Sequence, residues 1–133
     1  MVATEWPSWT SSLPRHWKRK RLKHVCYRYA DYGLNEPATS YASDGIRFLR
    51  TSDIDDDGGL KAEGVYLPEE LASGLELQDG DLLLSRSDTI GRSFLYRMEV
   101  HGRCTFAGYL IRYRLTPELL PEFAFYFTKS RQL

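Results

Sequence analysis

The heptapeptide YLIRYRL at positions 109–115 has the cleanest alternating pattern in the chain. Apolar and aromatic residues at its odd positions alternate with Leu110, Arg112 and Arg114 at its even positions. Successive side chains of a β-strand point to opposite faces of a sheet, so this stretch predicts a strand. Arg112 and Arg114 share one face, and we expect them to form a positive stripe with Arg50 or Arg97 if the sheet order allows it.

Shorter strands are predicted on both sides of this one, at residues 46–50, 82–85 and 93–98. The segments between them hold turn residues and, at Pro68–Ala72, a brief helical turn, but no helix long enough for a parallel crossover. After Pro121 an i, i+3, i+4, i+7 stripe (Leu120, Phe123, Ala124 and Phe127) predicts a helix. The expected fold is α+β, with a strongly coiled, mainly antiparallel sheet, short helices and a C-terminal helix.

The size and composition predict one domain. A length of 133 residues with 42% hydrophobic side chains suffices for a single core. We expect an N-terminal arm without regular structure at residues 1–12, which holds an aromatic side chain against the body, and a domain at 13–133. Neither Cys26 nor Cys104 lies at metal-ligand spacing, and no apolar run approaches the length of a membrane span, which favours a reduced, cytoplasmic protein.

Charge is balanced overall but unevenly distributed. Eighteen basic and eighteen acidic residues cancel, so net charge does not favour nucleic-acid binding. Residues 15–28, however, contain seven Lys or Arg and no acid. Such a cluster releases counterions when it meets a phosphate backbone, although a solvated amphipathic face is the alternative. The phosphate-anchoring candidates are Lys18, Arg19, Lys20, Arg21 and Lys23.

The loop SRSDTIGRS at positions 85–93 is rich in groups that contact DNA. Arginine can bind the major-groove acceptors of guanine, and short hydroxyl side chains reach backbone phosphates. The alternative is a polar hairpin whose arginines pair with the acidic segment 53–81, where acids outnumber bases ten to one. The candidate contacts in this loop are Ser85, Arg86, Ser87, Asp88, Thr89, Gly91, Arg92 and Ser93.

The sequence contains none of the common catalytic motifs that bind phosphate, dinucleotides or zinc, or that present a nucleophilic serine. The three histidines are far apart, and no partner that would orient one as a general base is visible. The acids at 53–57 are typical of a solvated turn, and Asp79 and Asp81 of another, which disfavours a metal site and a catalytic acid pair. We therefore expect a non-enzyme without metal or cofactor.

Five blocks in order resemble the target recognition domain of a type I restriction-modification specificity subunit. These are LPRHW (13–17) with YG (32–33), FLRTSDI (48–54), LQDGDLLLSR (77–86) with TIGRS (89–93), FAGYLIR (106–112), and the stretch 121–130. Asp88 departs from the pattern, since the family often has glycine there, and a carboxylate can accept from a cytosine amino group but repels phosphate.

This resemblance implies a fold like that of the DNA methylase specificity domains and recognition of one half of a bipartite double-stranded DNA site. The loop around Tyr32 and Gly33 and the residue Arg50 join the candidate contacts. Methylation and cleavage are then the work of partner subunits, a methylation subunit and, through it, a restriction subunit. The chain would end before the conserved spacer helices. A non-catalytic protein-interaction or regulatory module that keeps the fold without reading DNA is the alternative.

Overall fold

The computed structural model of the chain describes Trp6 and residues 8–86 and 92–130. Within these ranges the strands are β1 (Cys26–Tyr32), β2 (Ile46–Leu49), β3 (Val65–Leu67), β4 (Leu82–Ser85), β5 (Ser93–Leu95), β6 (Cys104–Phe106) and β7 (Leu110–Leu115). The α-helices are α1 (Glu69–Ala72), α2 (Met98–His101) and α3 (Pro121–Lys129). Single 3₁₀ turns lie at Ser8–Ser12, Leu22–Val25, Ala38–Ser40 and Thr51–Asp53. None of the described helices is long and apolar enough to cross a membrane.

The strands form two small sheets, which confirms the predicted mainly antiparallel α+β fold. One sheet has the order β1-β7-β4-β5, and every neighbouring pair in it is antiparallel. The other has the order β3-β2-β6, in which β2 pairs with β3 antiparallel and with β6 parallel. The described part of the chain that connects β2 to β6 passes through strands of both sheets and contains only the four-residue helices α1 and α2.

The predicted strand at 109–115 is β7, but its arginine-bearing face points inward. Leu110 and Arg112 are 0% and 2% exposed, whereas Tyr109, just before the strand, is 65% exposed. Alternation shows that a strand has two different faces, but it does not show which face meets the core. The predicted positive stripe of Arg112 and Arg114 with Arg50 or Arg97 is therefore wrong.

Acidic partners compensate the inward arginines. Arg112 Nη2 lies 3.1 Å from an Asp31 carboxylate oxygen. Arg114 donates two hydrogen bonds, of 2.9 and 2.8 Å, to the buried Asp81 carboxylate. A bulge in β1 allows the first pair, because the residues between Arg28 and Asp31 oppose a shorter stretch of β7 and Ala30 takes a left-handed φ of 61°. These ion pairs thus hold β1 and the start of β4 against β7.

Two local predictions need correction. The strand predicted at 93–98 ends at Leu95, because the backbone N–H of Arg97 donates to the His101 ring and α2 begins at Met98. The arm contains the 3₁₀ turn Ser8–Ser12. Trp6, farther out on the arm, stacks against Arg21, whose guanidinium carbon lies 4.6 Å from the ring centroid.

The buried face of α3 also differs from the predicted stripe. Ala124 and Thr128 are buried, whereas Leu120 and Phe123 are 67% and 50% exposed. The rotation follows from a hydrogen bond of 2.7 Å between the hydroxyls of Thr128 and Ser93, which ties the helix to β5. A pattern based on apolar residues alone misses a helix face that docks through a threonine.

Candidate nucleic-acid interface

Predicted contact residues from separate parts of the chain converge at one end of the two sheets. The backbone of Ala107 bonds to Leu49 of β2 and forms a bridge with Leu34, which follows β1. The N–H of Arg86, at the end of β4, donates to the carbonyl of Tyr109 at 3.0 Å. These bonds bring the ends of β1, β2 and β4 together around the turn 107–109. We call this region the 107–109 end.

Arg86 is exposed at the 107–109 end and held in place by two contacts. Its guanidinium carbon lies 4.6 Å from the centroid of the Tyr32 ring, and Nη1 donates to the Gly108 carbonyl at 3.0 Å. Among the described residues, no carboxylate forms an ion pair with it. A fixed cation without a counter-charge can bind an anion or the acceptor edge of a base.

Arg92 is in a different environment. It forms an ion pair of 2.9 Å with Asp56 and donates to the Thr51 carbonyl at 3.4 Å. Its Nε atom is buried without a partner in the described part of the chain. Pairing with the acidic segment was the alternative interpretation of this loop, and the structure shows that pairing for Arg92.

The serines that flank the loop are less accessible than predicted. Ser93 is 0% exposed, and its hydroxyl is bonded to Thr128, so the expectation that it contacts DNA is corrected to a structural role. The Ser85 hydroxyl is enclosed and has no partner among the described atoms. Ser87, Asp88, Thr89 and Gly91 lie outside the described residues.

Gly33 and Arg50 support the 107–109 end. A Cβ atom at position 33 would collide with the carbonyl of Ala107, so glycine allows the chain after β1 to approach this turn. Arg50 donates two hydrogen bonds, of 2.9 and 3.1 Å, to the buried Asp53 carboxylate. These hydrogen bonds raise the pKa of Arg50. Both residues have structural roles that the sequence patterns did not reveal.

The basic segment lies at the opposite end of β7. Lys20 pairs with Glu118 at 2.6 Å, and this bond lowers the pKa of the Glu118 carboxyl. Cys26 pairs with Leu115, whereas Tyr32 pairs with Ile111. Leu115 and Ile111 are four residue steps apart, which is about 13 Å along a strand, so the basic segment and the 107–109 end lie at opposite ends of β7.

The members of the basic segment differ in how they are held. Arg19 donates to the Thr10 hydroxyl at 3.2 Å, and both Arg19 and Arg21 stack against Trp6. Lys18 and Lys23 are exposed. The 3₁₀ turn Leu22–Val25, with Val25 buried, anchors the segment to the core. Lys18 and Lys23 are thus the lysines of this segment best placed for a solvent-side ligand.

An open groove of about 560 Å³ lies beside Arg86 at the 107–109 end. Its lining is mainly apolar and includes Leu34, Tyr41, Phe48 and Tyr109, with Thr51 as one of the polar members. The sequence assigned Tyr109 only to a strand, although the preceding Gly108 was a signal that the strand begins later. This groove is the main feature that sequence reasoning missed.

Two solved structures share this fold. A chain from a study of complex assembly and conformational transition of the type I R-M system aligns over 92% of the present chain with a TM-score of 0.71 and 21% identity. The HsdS subunit from Thermoanaerobacter tengcongensis aligns over 89% with a TM-score of 0.65 and 20% identity. The present chain covers only 29% and 28% of those two chains. No family model and no curated protein matches the sequence. The likeness confirms the fold that the motif blocks predicted.

Proposed function

We propose that this chain, which has the fold of a specificity-subunit recognition domain, reads one half of a bipartite double-stranded DNA target within a type I restriction-modification system. The observation that carries the proposal is Arg86, an exposed guanidinium fixed by Tyr32 and Gly108 without a compensating carboxylate in the described part of the chain. An unfixed surface arginine would lose more conformational freedom on binding. We expect Arg86 to bind the O6 and N7 acceptors of a guanine.

The basic segment supplies phosphate anchoring in this proposal. Lys18 and Lys23 are exposed members of the basic segment, which lies at the opposite end of β7 from the 107–109 end. In this proposal a single duplex contacts both regions. Base reading at one end of β7 and phosphate anchoring at the other would fix the register of the domain on DNA.

We propose no catalytic role for this chain. Methylation and cleavage are assigned to partner subunits, a methylation subunit and, through it, a restriction subunit. The 69% exposed Tyr126 and the apolar residues Leu120 and Phe123 offer a surface for protein contact beside Trp17, whose ring lies 6.2 Å from that of Phe123. Proteins rarely leave such an aromatic patch exposed unless a partner covers it.

The direct test is binding of the purified chain to duplex DNA over a range of salt concentrations. The proposal predicts weak binding whose logarithmic affinity falls linearly with the logarithm of salt concentration, because displaced counterions return to the phosphates. Binding should strengthen when the methylation subunit is added. Absence of salt-dependent binding to any duplex, with or without that subunit, contradicts the proposal.

A protein-interaction module is the second candidate, favoured by a specific observation. Arginines that could have faced DNA are paired internally, Arg97 with Asp79 and Glu122, and Arg103 with Glu69 and Glu76. If this candidate is right, the methylation subunit should be captured equally well with and without excess duplex DNA. Loss of DNA binding with unchanged capture would favour it over DNA recognition.

A further inference from the structure

The groove at the 107–109 end has the size and lining of a site for a flat ring. Its volume of about 560 Å³ lies within the range of small-molecule sites, roughly 300–1,000 Å³. Phe48 is 2% exposed and belongs to the lining, as does Tyr41, whose ring packs edge-on against Phe48 with centroids 6.0 Å apart. Tyr109 adds a 65% exposed ring to the same lining.

We infer that this groove accepts one unstacked base of the DNA strand bound by the domain. The inference rests on the proposed function and specifies what its site holds. Aromatic side chains are the usual platforms on which proteins stack bases that have left the helix. A mainly apolar groove with aromatic rings in its lining matches a base better than it matches the charged backbone, which requires cations.

Charge beside the groove favours a nucleotide over an apolar peptide. Arg86 is bonded to the carbonyl of Gly108, which also lines the groove, so its positive charge lies at the rim. A strand whose base enters the groove would bring the next base pair toward Arg86, which keeps the base-reading role proposed for it. Arg86 itself is outside the lining, whose charged members are Glu36 and Arg50, and Arg50 is already compensated by Asp53.

One polar atom in the lining is suited to reading the base edge. The Thr51 hydroxyl is buried and has no hydrogen-bond partner among the described residues. A buried hydroxyl without a hydrogen bond is costly. A ligand that supplies a donor or an acceptor there is therefore bound in preference to one that does not. The ring edge of a base carries both kinds of group.

The experiment is a mismatch scan on the duplex that the chain selects from a randomised pool. Each base pair is replaced in turn by a mismatch, and affinity is measured by fluorescence anisotropy. Extrusion of a base is easiest when the base is unpaired. The chain should therefore bind a duplex with a mismatch at one particular position at least about tenfold more tightly than the fully paired duplex. Tyr109→Ala and Thr51→Val should each reduce that advantage.

Val100→Ala is the control, because Val100 is a 75% exposed apolar residue on α2 that neither lines the groove nor belongs to a proposed contact surface. It should keep the full mismatch advantage, whereas a general gain from easier bending of mismatched DNA would persist in all the variants. The inference is overturned if no position gains from a mismatch, or if the gain survives Tyr109→Ala. Failure to select any duplex would instead overturn the proposed function itself.

Discussion

At the scale of single residues, two arginines of one loop have different roles. Arg86 rests on Tyr32 without a described acidic partner, whereas Arg92 is paired with Asp56. In the sequence both are arginines among serines, and composition could not separate base reading from internal pairing. The difference depends on Asp56, which is distant in sequence, so it becomes visible only in the folded chain.

The most buried charge gives the first prediction. Arg112 is 2% exposed and paired with Asp31, so Asp31→Ala leaves a buried guanidinium without its counter-charge. We expect the free energy of unfolding to fall by about 3–5 kcal/mol, measured by urea denaturation. Arg103→Ala, which removes an exposed ion-pair group, is the control and should change stability little. A similar small loss for Asp31→Ala would contradict the account.

His101 should make stability depend on pH. Its ring lies against Phe94 and Tyr96, and burial lowers the pKa of the imidazole. As pH falls below about 6.5, the unfolded chain takes up this proton before the folded chain does. The contribution of His101 to the free energy of unfolding is therefore fully present above that pH and is lost as pH decreases. His101→Gln should flatten the fall between about pH 7 and 5 in urea titrations, whereas the exposed His24→Gln should not. An unchanged slope in His101→Gln would contradict this role.

At the scale of elements, sequence periodicity located strands better than it oriented them. The stretches at 46–50, 82–85 and 109–115 contain strands β2, β4 and β7, and the helix after Pro121 is α3. The prediction of which face is buried was wrong for β7 and partly wrong for α3. Both errors have one cause, because polar side chains with a buried partner occupy core positions that a hydrophobic pattern assigns to solvent.

The contact between α3 and β5 gives a prediction about how two elements are held together. Thr128→Val should lower the free energy of unfolding by about 1–3 kcal/mol, because it leaves the buried Ser93 hydroxyl without its partner. Ser93→Ala should cost less, because the Thr128 hydroxyl still donates to the Phe125 carbonyl. The double variant should lose less than the sum of the two single losses. Urea denaturation of all four proteins measures the coupling. Additive losses would show that the hydroxyls do not act together.

At the scale of the whole molecule, sequence blocks predicted the fold but not the assembly of the site. Tyr32, Arg50 and Arg86 lie on different strands or just after them, and their proximity depends on the parallel pairing of β2 with β6 and on the turn 107–109. No local pattern encodes that pairing. The basic segment and Arg86 also proved to be separated along β7, although the sequence left open whether they form one patch.

This separation predicts that phosphate anchoring and base reading respond to different mutations. Lys18→Ala combined with Lys23→Ala should weaken binding to all duplexes and reduce the salt slope by about 1.8, or about 0.9 for each phosphate contact. Lys61→Ala, an exposed lysine outside both regions, should leave the slope unchanged. The slope is measured by anisotropy titrations at several salt concentrations. An unchanged slope in the double variant would remove the anchoring role.

Base reading by Arg86 is tested by selection from a randomised duplex pool with the wild-type chain, Arg86→Ala and Arg92→Ala, each with the methylation subunit present. We expect the wild type to enrich a short motif, Arg86→Ala to lose preference at one or two of its positions, and Arg92→Ala to retain it. Loss of about 1–3 kcal/mol of discrimination is expected at the affected positions. Enrichment of no motif by the wild type, or an unaltered motif in Arg86→Ala, would contradict the account.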